Sequence, residues 1–197
     1  MRCSLRLAAL LIFGLLSACT TVRAPPPSTG EAWDVRRPQL QARAHFDLKG
    51  RVAVAAGNDG FNARLLWRQT GTRSNVALDS PLGAGGVQIT ADGPSLSVVT
   101  SKGEHLDNEA ARSELATRLG FDPPITSLRF WVLGVPDPAM PAKETLDNQQ
   151  RLASLQQDGW QVVYDGYTSV GGEWLPSRVT MQREGVRVRL IVDGWTS

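Results

Sequence analysis

From Phe46 to Ala55 the chain alternates. Phe46, Leu48, Gly50, Val52 and Val54 fall on one side, and Asp47, Lys49, Arg51, Ala53 and Ala55 on the other. A period of two is the signature of a half-buried strand. "GNDG" (57–60) then supplies hairpin chemistry. "FNARLLWRQ" repeats the alternation, with Phe61, Ala63, Leu65 and Trp67 set against Asn62, Arg64, Leu66 and Arg68. "TGTR" turns into "SNVALDS". The next turn is "DSPLGAGG" (79–86), in which Pro81, Gly83, Gly85 and Gly86 surround an unexpected Leu82. "GVQITAD" and "SLSVVTSKGEHL" continue the meander. Strands this short, with turn residues at intervals of about 8–12, predict an antiparallel sheet closing into a barrel or sandwich.

The period changes to that of helices in two places. Ahead of the strands, "EAWDVRRPQLQARAHF" places Trp33, Leu40 and Ala44 in an amphipathic helix that Pro38 bends or interrupts. In mid-chain, "DNEAARSELATRLG" has Asp107 or Asn108 as N-cap, Ala111, Leu115 and Leu119 on one stripe, and Gly120 as terminator. "PPITSLRFWVLGVPDP" predicts a more apolar helix with Ile125, Leu128, Trp131 and Val132 on one side, ended by Gly134 and Pro136. Alternation then resumes in "RLASLQQ", "GWQVVYDGY", "WLPSRVTMQRE" and "VRVRLIVDGW", the last two joined through "REGV". Strands, helices and strands again make one α+β unit with no βαβ repeat.

The first residues bear on location. Arg2 and Arg6 precede the apolar run Leu7 to Leu16. That run is too short for a bilayer core that needs roughly 20 apolar residues, so residues 1–18 read as a signal peptide. "LSAC" ends on Cys19 and resembles the lipobox of bacterial lipoproteins, whose cysteine is acylated; the alternative is an ordinary cleavage site beside an incidental cysteine. Two or three acyl chains make a stable anchor where one does not. By analogy with enterobacterial lipoproteins, Thr20 rather than aspartate after the cysteine favours the outer membrane. Residues 19–30 are a Pro/Ser/Thr-rich tether, which leaves 31–197 as the domain. Loss of Arg2 and Arg6 from the 21 cationic residues balances them against 19 anionic ones, so composition calls for no nucleic acid. Cys3 leaves too, and a single cysteine excludes a disulfide framework.

Catalytic signatures are scarce. His45 and His105 stand far apart with no metal-ligand spacing. No Walker A loop, GxGxxG after a strand, or GxSxG occurs. "GAGG" leads into a strand and not into a helix N-terminus, so it is no phosphate cradle. Asp107 and Glu109 suit the first turn of a helix dipole, while Asp47, Arg51 and Arg64 suit the polar face of a sheet. Neither an enzyme nor a cofactor is expected. An apolar surplus remains, including six tryptophans spread one per element. Each either anchors a filled core or helps line a hollow one.

"LKGRVAV", "ARLLWRQTG", "SPLG", "SLRFWVLGVPDP", "GWQVVYDGY" and "VRLIVDGW" follow one another in the order seen in the LolB family of outer-membrane lipoproteins. The resemblance runs from lipobox to terminal tryptophan, and the lipobox favours LolB over LolA, which shares the fold but lacks that cysteine. It implies an unclosed antiparallel β-barrel, capped by helices around an apolar cavity. It implies a monomeric receptor that takes lipoproteins from the periplasmic carrier LolA, holds their acyl chains, and places them among outer-membrane phospholipids. By the same resemblance Cys19 is the lipidated residue and Leu82 the tip of a membrane-inserting loop. Trp67, Trp131, Arg64 and Leu66 belong to the cargo cavity, with Arg64 near its rim. A structural or assembly lipoprotein that binds proteins with a solid core is the competing expectation.

Overall fold

The computed structural model describes residues 32–80 and 85–196. Its elements run α1 (Trp33–Gln41), β1 (His45–Ala56), β2 (Asp59–Thr70), β3 (Arg73–Asp79), β4 (Gly86–Asp92), β5 (Ser95–Thr100) and β6 (His105–Asp107). After these come α2 (Asn108–Leu119), α3 (Ile125–Trp131), β7 (Lys143–Leu146), β8 (Leu152–Gln157), β9 (Trp160–Val170), β10 (Glu173–Arg183) and β11 (Val186–Thr196). Cys19, the signal peptide and the tether lie outside the described residues, as does Leu82.

All eleven strands join one antiparallel sheet in the order β6-β5-β4-β3-β2-β1-β11-β10-β9-β8-β7. Its first and last strands do not pair, so the barrel is unclosed. Two meanders make up the sheet, each a run of hairpins, and they meet where β1 pairs with β11 in the middle. The alternation read from the sequence sets the faces: Phe46, Leu48, Ala63, Leu65 and Trp67 are buried, while Arg51, Arg64, Leu66 and Arg68 are exposed.

The central strand pair is irregular at Gly50. The β1–β11 register slips between Lys49 and Gly50, and a Cβ on Gly50 would stand 2.4 Å from the Ile191 carbonyl oxygen. Only glycine admits that approach, and the bulge increases local twist and bends the strand.

Pro38 sits inside α1 without breaking it, and helical bonding continues with Ala42 N–H donating to the Pro38 carbonyl (2.9 Å). Ala44, expected on the helix, lies beyond its end. α2 stops where Gly120 adopts a left-handed φ of 76°. The short edge strand β7 has too few residues to show a period, and only its pairing with β8 defines it.

Candidate functional site

The helices lie across the concave face of the sheet and do not fill it. Between them and the strands is a cavity of ≈130 Å³. β1 and β2 contribute Val52, Leu65 and Trp67; β3 and β4 contribute Val76 and Ile89; Trp160, Met181 and Leu190 close the far wall. Leu115 and Leu119 of α2 cover one side, and Ile125, Leu128 and Trp131 of α3 the other.

The cavity separates two clusters of buried side chains. The larger joins Trp33, Leu40, Leu48, Trp67, Trp131, Trp160 and Leu190; the smaller joins Val87, Leu96, Val98, Ala111 and Leu115. A solid core, expected of the competing assembly reading, is therefore not what the fold builds.

The lining offers a guest almost nothing but carbon. Its one hydroxyl, Ser74, donates to Gln69 Oε1 (2.6 Å), which also accepts the Trp67 indole N–H (3.2 Å). Gln69 Nε2 in turn donates to the Gly71 carbonyl (3.0 Å). These polar groups satisfy one another beside the cavity, and among the described residues no titratable side chain lines it. It suits an apolar guest, since a dry cavity of comparable size takes a small hydrocarbon.

The two covers are held differently. At the end of α3, Trp131 Nε1 donates to Gln157 Oε1 (2.8 Å), and the Tyr164 hydroxyl donates to the Trp131 carbonyl (2.9 Å). Gln157 also receives the Asp137 amide (2.9 Å) and gives its Nε2–H groups to the carbonyls of Asp137 and Met140 (2.8 and 2.9 Å). Ser127 Oγ, inside α3, donates to Asp137 Oδ2 (2.9 Å). Burial pushes the Tyr164 hydroxyl well above its ordinary pKa, so it stays a donor. By contrast, α2 rests on β5 through Ala111 and Leu115 against Leu96 and Val98. It adds one long hydrogen bond from the Leu96 amide to Asn108 Oδ1 (3.4 Å).

Trp67 and Trp131 line the cavity, Trp67 from the sheet and Trp131 from α3. Arg64 and Leu66 do not. Both occupy the opposite phase of β2 and project from the outer face, where Leu66 is 47% exposed. The assignment of these two to the cavity and its rim is corrected: the shared strand was right, but adjacent residues point to opposite faces. Sequence reasoning passed over Trp160, Met181 and Leu115 as lining residues. The strand phase marks Met181 and the helix stripe marks Leu115. Trp160 begins its strand, and its ring lies 6.2 Å from that of Trp131 and 5.6 Å from Phe121. Among the described residues its buried indole N–H has no acceptor.

The family model for the outer membrane lipoprotein LolB matches residues 44–195. The chain belongs to the LolB family. Outer-membrane lipoprotein LolB of Nitrosococcus oceani is 33% identical over 184 residues, 92% of each chain. That of Pseudomonas putida strain W619 is 36% identical over 168 residues, 84% of this chain and 80% of its own. Among solved structures, a LolA-superfamily protein from Nitrosomonas europaea superposes with a TM-score of 0.54 at 10% identity, covering 85% of this chain and 94% of its own. A DUF1329-family protein from Desulfovibrio piger gives 0.56 at 8% identity, covering 83% and 89%. At such identities the two structures speak for the fold alone. LolB membership makes the chain an outer-membrane lipoprotein and a receptor with no enzymatic activity.

Proposed function

We propose that the cavity between the sheet and α2/α3 is where this LolB-family lipoprotein holds the acyl chains of the lipoproteins it receives from LolA for insertion into the outer membrane. The observation that carries this reading is a hollow core whose single hydroxyl is already bonded to its neighbour. Exposing an acyl chain to water costs about 0.8 kcal/mol per CH₂, so a triacylated cargo released into the periplasm would forfeit tens of kcal/mol. An apolar corridor from carrier to receptor avoids that loss. Transfer then needs no nucleotide, because each later site holds the chains more favourably and the bilayer is the last.

The ≈130 Å³ observed is less than a triacylated cargo requires. Cargo enters as α2 moves off the sheet, and the two apolar clusters supply the new walls. Cys19 anchors the chain, and Leu82 meets the membrane at the release step. One leucine in lipid contributes about 1.5–3 kcal/mol, enough to orient a domain already anchored.

Filling the cavity tests the reading. Ala91→Trp should keep the far-UV circular dichroism of the native chain, exclude an apolar fluorescent probe, and leave lipoprotein on LolA in a transfer assay. Undiminished acceptance by the filled variant would refute it. Leu82→Glu should accept cargo normally and fail to release it into vesicles.

A further inference from the structure

The outer face of the sheet carries a pattern that folding alone does not favour. Arg64 of β2 stands directly across from Arg51 of β1, and Arg51 directly across from Ile191 of β11. Arg178 of β10 continues the row beyond Ile191. Like charges facing each other across a strand pair destabilise a sheet. Arg51 is matched by a two-pronged pair with Asp193 (2.8 and 3.2 Å). Arg64 is not: Asp79 faces it on β3, but its carboxylate leans over Gly86 on the far side, 2.7 Å from where a Cβ there would be. Among the described residues, Arg64, Arg189 and Lys49 form no ion pair on this face, all three exposed. With 21 cationic and 19 anionic residues, the chain has a general positive excess of only two charges. The excess here is local.

Among the described residues, two of the four exposed large apolar side chains stand among these cations. Leu66, 47% exposed, lies opposite Lys49, and Ile191, 40% exposed, lies between Arg51 and Arg178. Leu66 and Lys49 also border a shallow outer groove of ≈260 Å³ with Arg68, Ala77 and Gln88.

We propose that the outer face of β2, β1 and β11 is a contact surface for anionic phospholipid, with Arg64, Arg189 and Lys49 meeting phosphates and Leu66 and Ile191 entering the headgroup layer. Cations flanking short apolar side chains are what an anionic interface selects, at about 1 kcal/mol per cation near the surface. The chain is an outer-membrane lipoprotein, so this face needs only weak affinity: an anchored domain meets the bilayer at high local concentration. The contact fixes which way the cavity faces, a role separate from holding cargo.

The test uses the membrane-anchored chain in nanodiscs, with a polarity-sensitive dye on Asn62→Cys of the same face and, separately, on Arg112→Cys of α2. Discs of phosphatidylethanolamine with phosphatidylglycerol should blue-shift and brighten the residue-62 dye, and neutral discs should not. Salt raised from about 0.05 to about 0.5 M should reverse the shift. Arg64→Gln and Arg189→Gln should each lower the ratio of contacting to free domains about fivefold, and Leu66→Ser should lower it further. None should reduce probe uptake by the cavity, and Arg64→Gln should not lower the melting temperature, because it removes a like-charge pair. The proposal falls if the residue-62 signal ignores phosphatidylglycerol, if the α2 dye responds equally, or if neutralising the arginines changes nothing. It falls too if soluble polyglutamate occupies the face while lipid does not, since that result assigns the face to an acidic protein.

Discussion

One sheet carries two covers, and they are attached by different physics. α3 is fixed through a network of directional bonds: Trp131, Gln157, Tyr164, Ser127 and Asp137 each use polar atoms that are buried and paired. α2 is pressed onto β5 by aliphatic side chains. Breaking the first arrangement strands buried donors and acceptors, at about 1–3 kcal/mol each. The second is non-directional, so a helix can slide or lift while its apolar face stays covered, above all if an acyl chain replaces the contacts it gives up. The difference teaches which side of the cavity is frame and which is door. On the function proposed above, stability is concentrated at α3 and the opening lies at α2, where local unfolding is cheaper.

Breaking the frame should have the largest effect. Trp131→Ala removes a fully buried indole and its bond to Gln157, and should cost about 3–5 kcal/mol in urea denaturation. Gln157→Leu keeps the volume and orphans the groups that converge on the amide. We expect a loss of about 2–3 kcal/mol, with faster amide exchange at Asp137 and little change in α2. Leu115→Ala acts on the door. Its loss should fall near the low end of the core range, about 2 kcal/mol, because a side chain bordering a void has fewer contacts to lose. Stopped-flow fluorescence should show faster entry of an apolar probe. Equal entry rates in the Gln157 and Leu115 variants would abolish the distinction between the covers.

The smallest effect is electrostatic and belongs to the frame's edge. Burial pushes the Asp147 carboxyl up, but the amides of Arg151 and Gln149 and the Arg151 guanidinium outweigh it and hold the group below the usual carboxylate range. A depressed folded-state pKa adds stability that is present above the unfolded value of about 3.9 and is lost as pH falls through the folded one. Asp147→Asn should therefore cost under about 1 kcal/mol at pH 7 and flatten the melting-temperature profile below about pH 4.

Strand phase was legible because each strand has a buried and an exposed side. The alternation from Phe46 to Val54 and from Phe61 to Trp67 in the sequence is the alternation of faces in the sheet. Arg64 and Leu66 show the limit: a resemblance pointed to their strand segment, and pairing them with Trp67 as cavity residues overrode the alternation that sets them apart. β7 was not legible, since four residues carry no period and its identity comes from β8. The hollow itself was not legible either. Leu115, Trp160 and Met181 have the same composition in a filled core as around a void. Only the spacing between the two clusters tells them apart, and spacing is a property of the packed sheet. The polar frame was hidden for a related reason, because Gln157 and Trp131 are 26 residues apart and nothing local announces their bond.

The pairing of β1 with β11 has a consequence for the order in which the molecule is made. Leu48 lies across from Trp195, and Val52 from Leu190, so the seam at the centre of the sheet joins the start of the domain to its end. Each meander can form from neighbours in sequence as it emerges, but the seam waits for the last strand to be synthesised. Long-range pairings of this kind delay folding. Until β11 is complete, the polypeptide lacks the seam that makes its two meanders one sheet.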